Sequence, residues 1–115
     1  MATWRLFLAG IMQGSHVESC LHGQDYRPYL KKLLSDYLPQ ASVYDPLADH
    51  PKSLYYDARK GRDVFLYHNR MCREVDVLLA VLPEASMGTA IEMWEAYQCG
   101  AVVVSISPMK HNWAV

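Results

Sequence analysis

Apolar residues along the chain fall into two rhythms. Unbroken apolar runs of strand length occur near the start (Leu6, Phe7, Leu8, Ala9), in the middle (Val77 to Leu82) and near the end (Ala101 to Val104). Between them, apolar residues return every three or four positions, the period of a helix with one buried face. The pattern predicts strands over residues 4–9, 41–44, 75–82 and 101–107. Helices are expected over 25–38, with Asp25 as cap and Pro39 as stop, and over 57–73, where Gly61 interrupts the pattern. A third helix is expected from the cap Ser86 to Gln98, ended by Gly100. Residues 47–56 read as a surface loop or a short helix. Strands and helices that alternate, with β-branched apolar strands, imply a parallel sheet covered on both faces. The expected fold class is α/β, a flavodoxin/Rossmann-like three-layer sandwich with strand order 2-1-3-4, in one domain over residues 1–115.

That topology says where to look for chemistry. Ligands of such sheets bind beyond the carboxyl ends of the strands, at the switch point between strands 1 and 3. Three loops meet there: residues 10–15, Asp45 with Pro46, and residues 84–88. The first contributes Gly10, Met12, Gln13 and Gly14 as candidate ligand contacts; it matches neither the dinucleotide fingerprint nor the P-loop. The third opens a helix. With Ser86 as cap, the N–H groups of Met87, Gly88 and Thr89 have no intrahelical partners and form an anion site with the helix dipole behind them. On a helical wheel Met87, Ala90, Trp94 and Tyr97 share the face expected to pack on the sheet, and Glu92 points the opposite way among the small residues Gly88, Ala96 and Cys99. A carboxylate in such a ring implies that something packs on or binds over it, either a ligand or another subunit.

Composition then removes function classes. The chain is 51% apolar and 20% charged with a net charge of −1. It has no basic surplus for binding a nucleic acid polymer. Its apolar runs are too short to cross a membrane, and its start lacks a signal-peptide layout. Cys20, Cys72 and Cys99, odd in number and far apart, read as reduced thiols of a cytoplasmic protein. His16 and His22 share no ligand spacing with other residues, so no metal and no cofactor is expected. His68 lies inside the apolar stripe of the second helix, as a satisfied core histidine or as a proton donor to a leaving group. Asp45 is placed to bind a sugar hydroxyl or to cap the turn at Pro46. Phe7, near the end of strand 1, is placed to meet a flat ring.

With these residues in place, the chain resembles the nucleoside 2-deoxyribosyltransferase superfamily, which includes the 2′-deoxynucleoside 5′-phosphate N-hydrolases. The resemblance runs through Phe7-Leu8-Ala9-Gly10, the strand Val75-Asp76-Val77-Leu78-Leu79-Ala80, the signature Ser86-Met87-Gly88-Thr89-Ala90-Ile91-Glu92, and Asn112 after the last strand. It implies that Glu92 is the nucleophile that forms a glycosyl ester, a role for which a carboxylate beside an oxocarbenium-like centre is suited. Six residues before that Glu, the transferases carry an Asp for the sugar 5′-hydroxyl and the 5′-monophosphate hydrolases a Ser; here it is Ser86, which implies a 5′-monophosphate. Two positions depart from the family pattern. His68 stands where the family places an Asp, eight residues before Asp76, and Gln13 stands where the phosphate hydrolases use an Arg. Asn112 resembles a residue that reaches into a neighbouring subunit's site, which implies a homodimer or larger homo-oligomer.

The expected function is therefore cleavage or transfer at the N-glycosidic bond of a nucleoside 5′-monophosphate or deoxynucleoside through Glu92, assisted by His68. The competing expectation is a non-catalytic nucleotide-binding or sensor module on the same fold.

Overall fold

The computed structural model describes residues 3–10 and 26–115. Four parallel strands, β1 (Trp4–Gly10), β2 (Ala41–Tyr44), β3 (Val77–Val81) and β4 (Val102–Ile106), form one sheet in the order β2-β1-β3-β4. The helices are α1 (Tyr26–Tyr37), α2 (Pro46–Asp49), α3 (Ala58–Cys72) and α4 (Met87–Gln98), with a short 3-10 turn at Ser53–Tyr55. The chain thus has the α/β fold and strand order expected from its pattern. Gly61 does not interrupt α3, because Asp57 caps the helix and accepts a hydrogen bond from the N–H of Lys60 at 2.8 Å, fixing the first turn ahead of the glycine.

Side chains alternate across the sheet and give it two packed faces. Phe7, Ala9, Leu78, Ala80 and Leu82 meet Cys72 of α3 and Met93 and Ala96 of α4. Leu6, Leu8 and Leu79 meet Leu30 and Leu34 of α1 on the other side. Residues 6–9 of β1 are all buried, as a strand covered on both faces requires. Asp76 ties off the amino end of the sheet by accepting the N–H of Arg5 at 2.8 Å, well away from the ligand end.

Helix α4 sits the other way round from the wheel expectation. Thr89, Glu92, Met93 and Ala96 face inward, while Met87 is 86% exposed and Trp94 59%. The aromatic stripe reads as apolar, but small residues let a helix lie close to a sheet, and here the wholly buried Ala96 meets the sheet face while Gly88 faces Phe65 of α3. Trp94 and Tyr97 instead stack on each other outside, centroids 5.8 Å apart. Gly100, at φ 87°, then stops α4: its N–H bonds to Tyr97 O and the next N–H, of Ala101, to Ala96 O. The result is that Glu92 is carried inward at the carboxyl end of the sheet. Among the described residues no helix is long and apolar enough to cross a membrane.

Candidate active site

A cleft of about 500 Å³ opens at the carboxyl ends of β1 and β3, within the range of small-molecule sites. One wall is the start of α4: Ala85, Ser86, Met87, Gly88, Thr89 and Glu92. The opposite wall comes from the segment after β2 and from α3, with His50, Ser53, Tyr56, Phe65 and His68. Gly10 and Arg27 lie at the floor. A side chain at position 10 would collide with the Tyr26 hydroxyl, so the glycine is what lets β1 end beside α1.

The α4 wall begins with its cap. Ser86 Oγ accepts the N–H of Thr89 at 3.4 Å and donates to Thr89 Oγ1 at 3.0 Å. Thr89 is therefore not one of the open donors; the N–H groups of Met87 and Gly88 are the ones left facing the helix entrance without a partner among the described residues. Glu92 is 9% exposed and its carboxyl has no hydrogen-bond partner among the described residues. Burial raises its pKa to about 8, against a smaller pull downward from the Arg27 guanidinium.

On the opposite wall, the His68 ring is buried, and burial, helped by nearby His50, lowers its pKa to about 4. That shift favours the uncharged imidazole at neutral pH, a form suited to accept a proton. Its Nε2 lies 3.1 Å from the Tyr44 hydroxyl, which also lies 2.8 Å from Asp49 Oδ2. His50 Nδ1 is 2.8 Å from the Tyr56 hydroxyl, and the His50 and His68 rings are 5.3 Å apart. The Lys60 ammonium lies 4.3 Å from the centre of the Tyr56 ring, at the outer edge of this wall.

Several expected contacts fall elsewhere. Phe7 is wholly buried, stacked on Tyr44 at 5.5 Å, and is packed under the site instead of meeting a ligand. Asp45 caps α2 by accepting the Leu47 N–H at 3.0 Å and pairs with Arg27 at 3.0 Å and Lys31 at 3.1 Å. Its oxygens are thus committed to the fold, and the turn-capping alternative is the one the geometry realises. Asn112 is exposed on the tail and accepts the Ala114 N–H at 3.0 Å; it lines a smaller hollow next to Ser86 and Met87, outside the main cleft. Met12, Gln13 and Gly14 lie outside the described residues. Glu92, His68, Gly10, Ser86, Met87 and Gly88 do come together on one cleft.

Sequence reasoning missed Arg27, Tyr44, Asp49, His50 and Tyr56. Arg27 is buried at the start of α1, donating to Leu8 O, Gly10 O and Asp45 Oδ1, so it ties the ends of β1 and β2 together. The others stand at or just after the end of β2. The rule that ligands gather at strand ends already pointed there, but the segment 47–56 read only as a loop.

No protein-family model matches the chain, and no curated protein matches it. Among solved structures, the chain is similar to a conserved protein from Enterococcus faecalis V583, with a TM-score of 0.65 and 25% sequence identity. The match covers 90% of this chain and 63% of that one, so the chain spans less than two thirds of its neighbour's length.

Proposed function

We propose that this chain cleaves or transfers at the N-glycosidic bond of a nucleoside 5′-monophosphate or deoxynucleoside, with Glu92 as the nucleophile. The observation that carries the reading is the Glu92 carboxyl: buried, without a hydrogen-bond partner among the described residues, and open to the cleft. A structural carboxyl so deeply placed is normally hydrogen-bonded or paired, because burying it alone is costly. A cationic sugar centre in the cleft would supply the missing partner. The Met87 and Gly88 N–H groups suit a 5′-phosphate or 5′-hydroxyl at the head of α4.

In this reading the ionised Glu92 oxygen attacks C1′. The C–N bond breaks with its electron pair leaving on the base, whose nitrogen takes up a proton from solvent. Water, or the nitrogen of a second base, then attacks C1′ of the ester and releases Glu92. In the hydrolytic case the uncharged His68 is suited to accept the proton of the attacking water. This replaces proton donation by His68 as the expected assistance.

The same raised pKa favours a second reading, a nucleotide-binding module without turnover, because at neutral pH most Glu92 keeps its proton. Incubation with a panel of nucleoside 5′-monophosphates and deoxynucleosides, with released base followed by chromatography, separates the two. Base release by the wild type and not by Glu92→Gln supports the enzyme; ligand binding without release in either supports the module.

The homo-oligomer is proposed to form through the outer face of α4, where Met87, Ile91, Trp94 and Tyr97 are exposed side by side. Sedimentation should show a dimer that Trp94→Glu dissociates; a wild-type monomer at all concentrations would remove the proposal.

A further inference from the structure

The hydrogen atoms in the β2–α3 wall can be assigned from chemistry alone. Asp49 is an acceptor, so the 2.8 Å contact between its Oδ2 and the Tyr44 hydroxyl uses the phenolic proton. If Tyr44 instead gave that proton to His68, two lone-pair-bearing oxygens would face each other at 2.8 Å with no hydrogen between them. The Tyr44 oxygen is left with lone pairs only, and the His68 Nε2 that meets it at 3.1 Å has to carry a hydrogen. The uncharged ring then has its lone pair on Nδ1, which has no partner among the described residues, on a ring that lines the cleft. Ring packing keeps this arrangement in place: Phe7 stacks on Tyr44 and meets the edge of His68 at 5.9 Å, and Tyr67 lies at 5.9 Å on another side. The same Asp49 oxygen is 3.4 Å from His50 Nε2, and His50 Nδ1 is 2.8 Å from the Tyr56 hydroxyl.

We propose that Tyr44 and Asp49 are positioning residues that hold His68 in the Nε2–H tautomer, so that Nδ1 is the proton acceptor offered to the cleft. The catalytic meaning of that acceptor rests on the proposed glycosidic chemistry; the tautomer itself does not. The pairing is specific to a histidine at position 68, since a carboxylate has no tautomer to fix.

Two-dimensional 15N–1H spectra that correlate both ring nitrogens with the ring carbon-bound protons report the tautomer of His68 in the intact protein at neutral pH. The wild type should show Nε2 protonated and Nδ1 bare. Tyr44→Phe keeps the stacked ring and removes the acceptor, and should give a mixture of tautomers. Asp49→Ala frees the phenolic proton to turn towards Nε2, and should shift His68 to Nδ1–H. Asp49→Asn keeps an acceptor oxygen and should retain the wild-type signature. A wild-type Nδ1–H signal, or a signature that Tyr44→Phe and Asp49→Ala leave unchanged, would overturn the proposal. If base release is found, Tyr44→Phe and Asp49→Ala should lower kcat by about tenfold with little change in KM, part of the roughly hundredfold or larger contribution of a general base. If no substrate is turned over, the glycosidic reading fails while the spectra still decide the role of Tyr44 and Asp49.

Discussion

The two walls of the cleft are built on different principles. The α4 wall is local: a strand, a turn, a serine cap and a glutamate six residues later, all in one stretch of chain. The wall opposite is assembled from the end of β2, the α2 segment, the 3-10 turn and the middle of α3. The α4 wall holds a lone carboxyl and two open N–H groups, groups lacking something. The β2–α3 wall holds two hydrogen-bonded groups, Asp49 with Tyr44 and His68, and His50 with Tyr56, set side by side with the His50 and His68 rings 5.3 Å apart. An isolated group is suited to meet substrate charge, and a connected network is suited to keep a ring in one orientation.

The largest expected effect would break the α4 wall chemically while leaving its shape. Glu92→Gln removes the nucleophile and keeps the volume. Under the proposed reading, base release should fall by at least about a thousandfold, or about 4 kcal/mol in barrier. In the wild type, kcat/KM should rise with pH towards about 8, where the buried carboxyl ionises. A flat profile over pH 6 to 9 would argue against Glu92 acting as an anion.

Next is the floor that joins the walls. Arg27→Met removes the guanidinium that binds Asp45, Leu8 O and Gly10 O, leaving a buried carboxylate with Lys31 as its one cationic partner among the described residues, beside the Leu47 N–H. Breaking one side of a buried pair is strongly destabilising, and a loss of about 3 kcal/mol is expected in urea unfolding. An Arg27→Met protein as stable as the wild type would show that Lys31 and solvent suffice.

The walls should also oppose each other in their response to pH. Folded Glu92 keeps its proton up to about 8, whereas unfolded it releases it near 4.5, so the fold loses stability as pH rises across that window. Folded His68 stays neutral down to about 4, whereas unfolded it protonates below 6.5, so the fold loses stability as pH falls from 6.5 to 4. The two slopes offset each other between pH 4.5 and 6.5. Above 6.5 only Glu92 contributes, and stability should fall by about 2 kcal/mol by pH 8. Glu92→Gln should remove that fall and leave the acid limb; denaturant titrations at several pH values would show whether it does.

How far each wall was legible in the sequence follows from how it is built. Strand order, element spans and the Ser86 cap follow from patterns within contiguous residues, so periodicity and capping rules reach them. The direction in which Glu92 faces was inverted, because Trp94 and Tyr97 outweigh Gly88 and Ala96 on any hydrophobicity scale. Which face packs depends on how closely the helix must approach the sheet, and that is a property of the assembled layers. The histidine at 68 stood out as polar in an apolar stripe, but its protonation follows from burial and from His50, and its ring contact is with Tyr44, groups that periodicity along its own helix does not reach. Asp45 and Phe7 sat at the right strand ends, yet Arg27 and the Tyr44 ring occupy them.

The smallest effect sharpens the comparison most finely, because Ser86 does two things on the α4 wall. It caps the helix through Thr89 N–H and gives its own hydrogen to Thr89 Oγ1, in a half-buried contact. Ser86→Ala removes both bonds and should cost about 1 kcal/mol in stability. Ser86→Asp keeps a capping acceptor and adds a charge that the helix dipole favours, so stability should hold close to the wild type. Under the proposed reading, however, that charge stands where a 5′-phosphate would bind. KM for a nucleoside 5′-monophosphate should rise by roughly tenfold, about 1.4 kcal/mol, while a deoxynucleoside without phosphate is processed as before. Equal loss on both substrates would mean that Ser86 shapes the helix start only. Loss confined to the phosphate would mean that the residue capping α4 also selects what binds at its open N–H groups, a second task that the hydrogen-bonded wall across the cleft does not share.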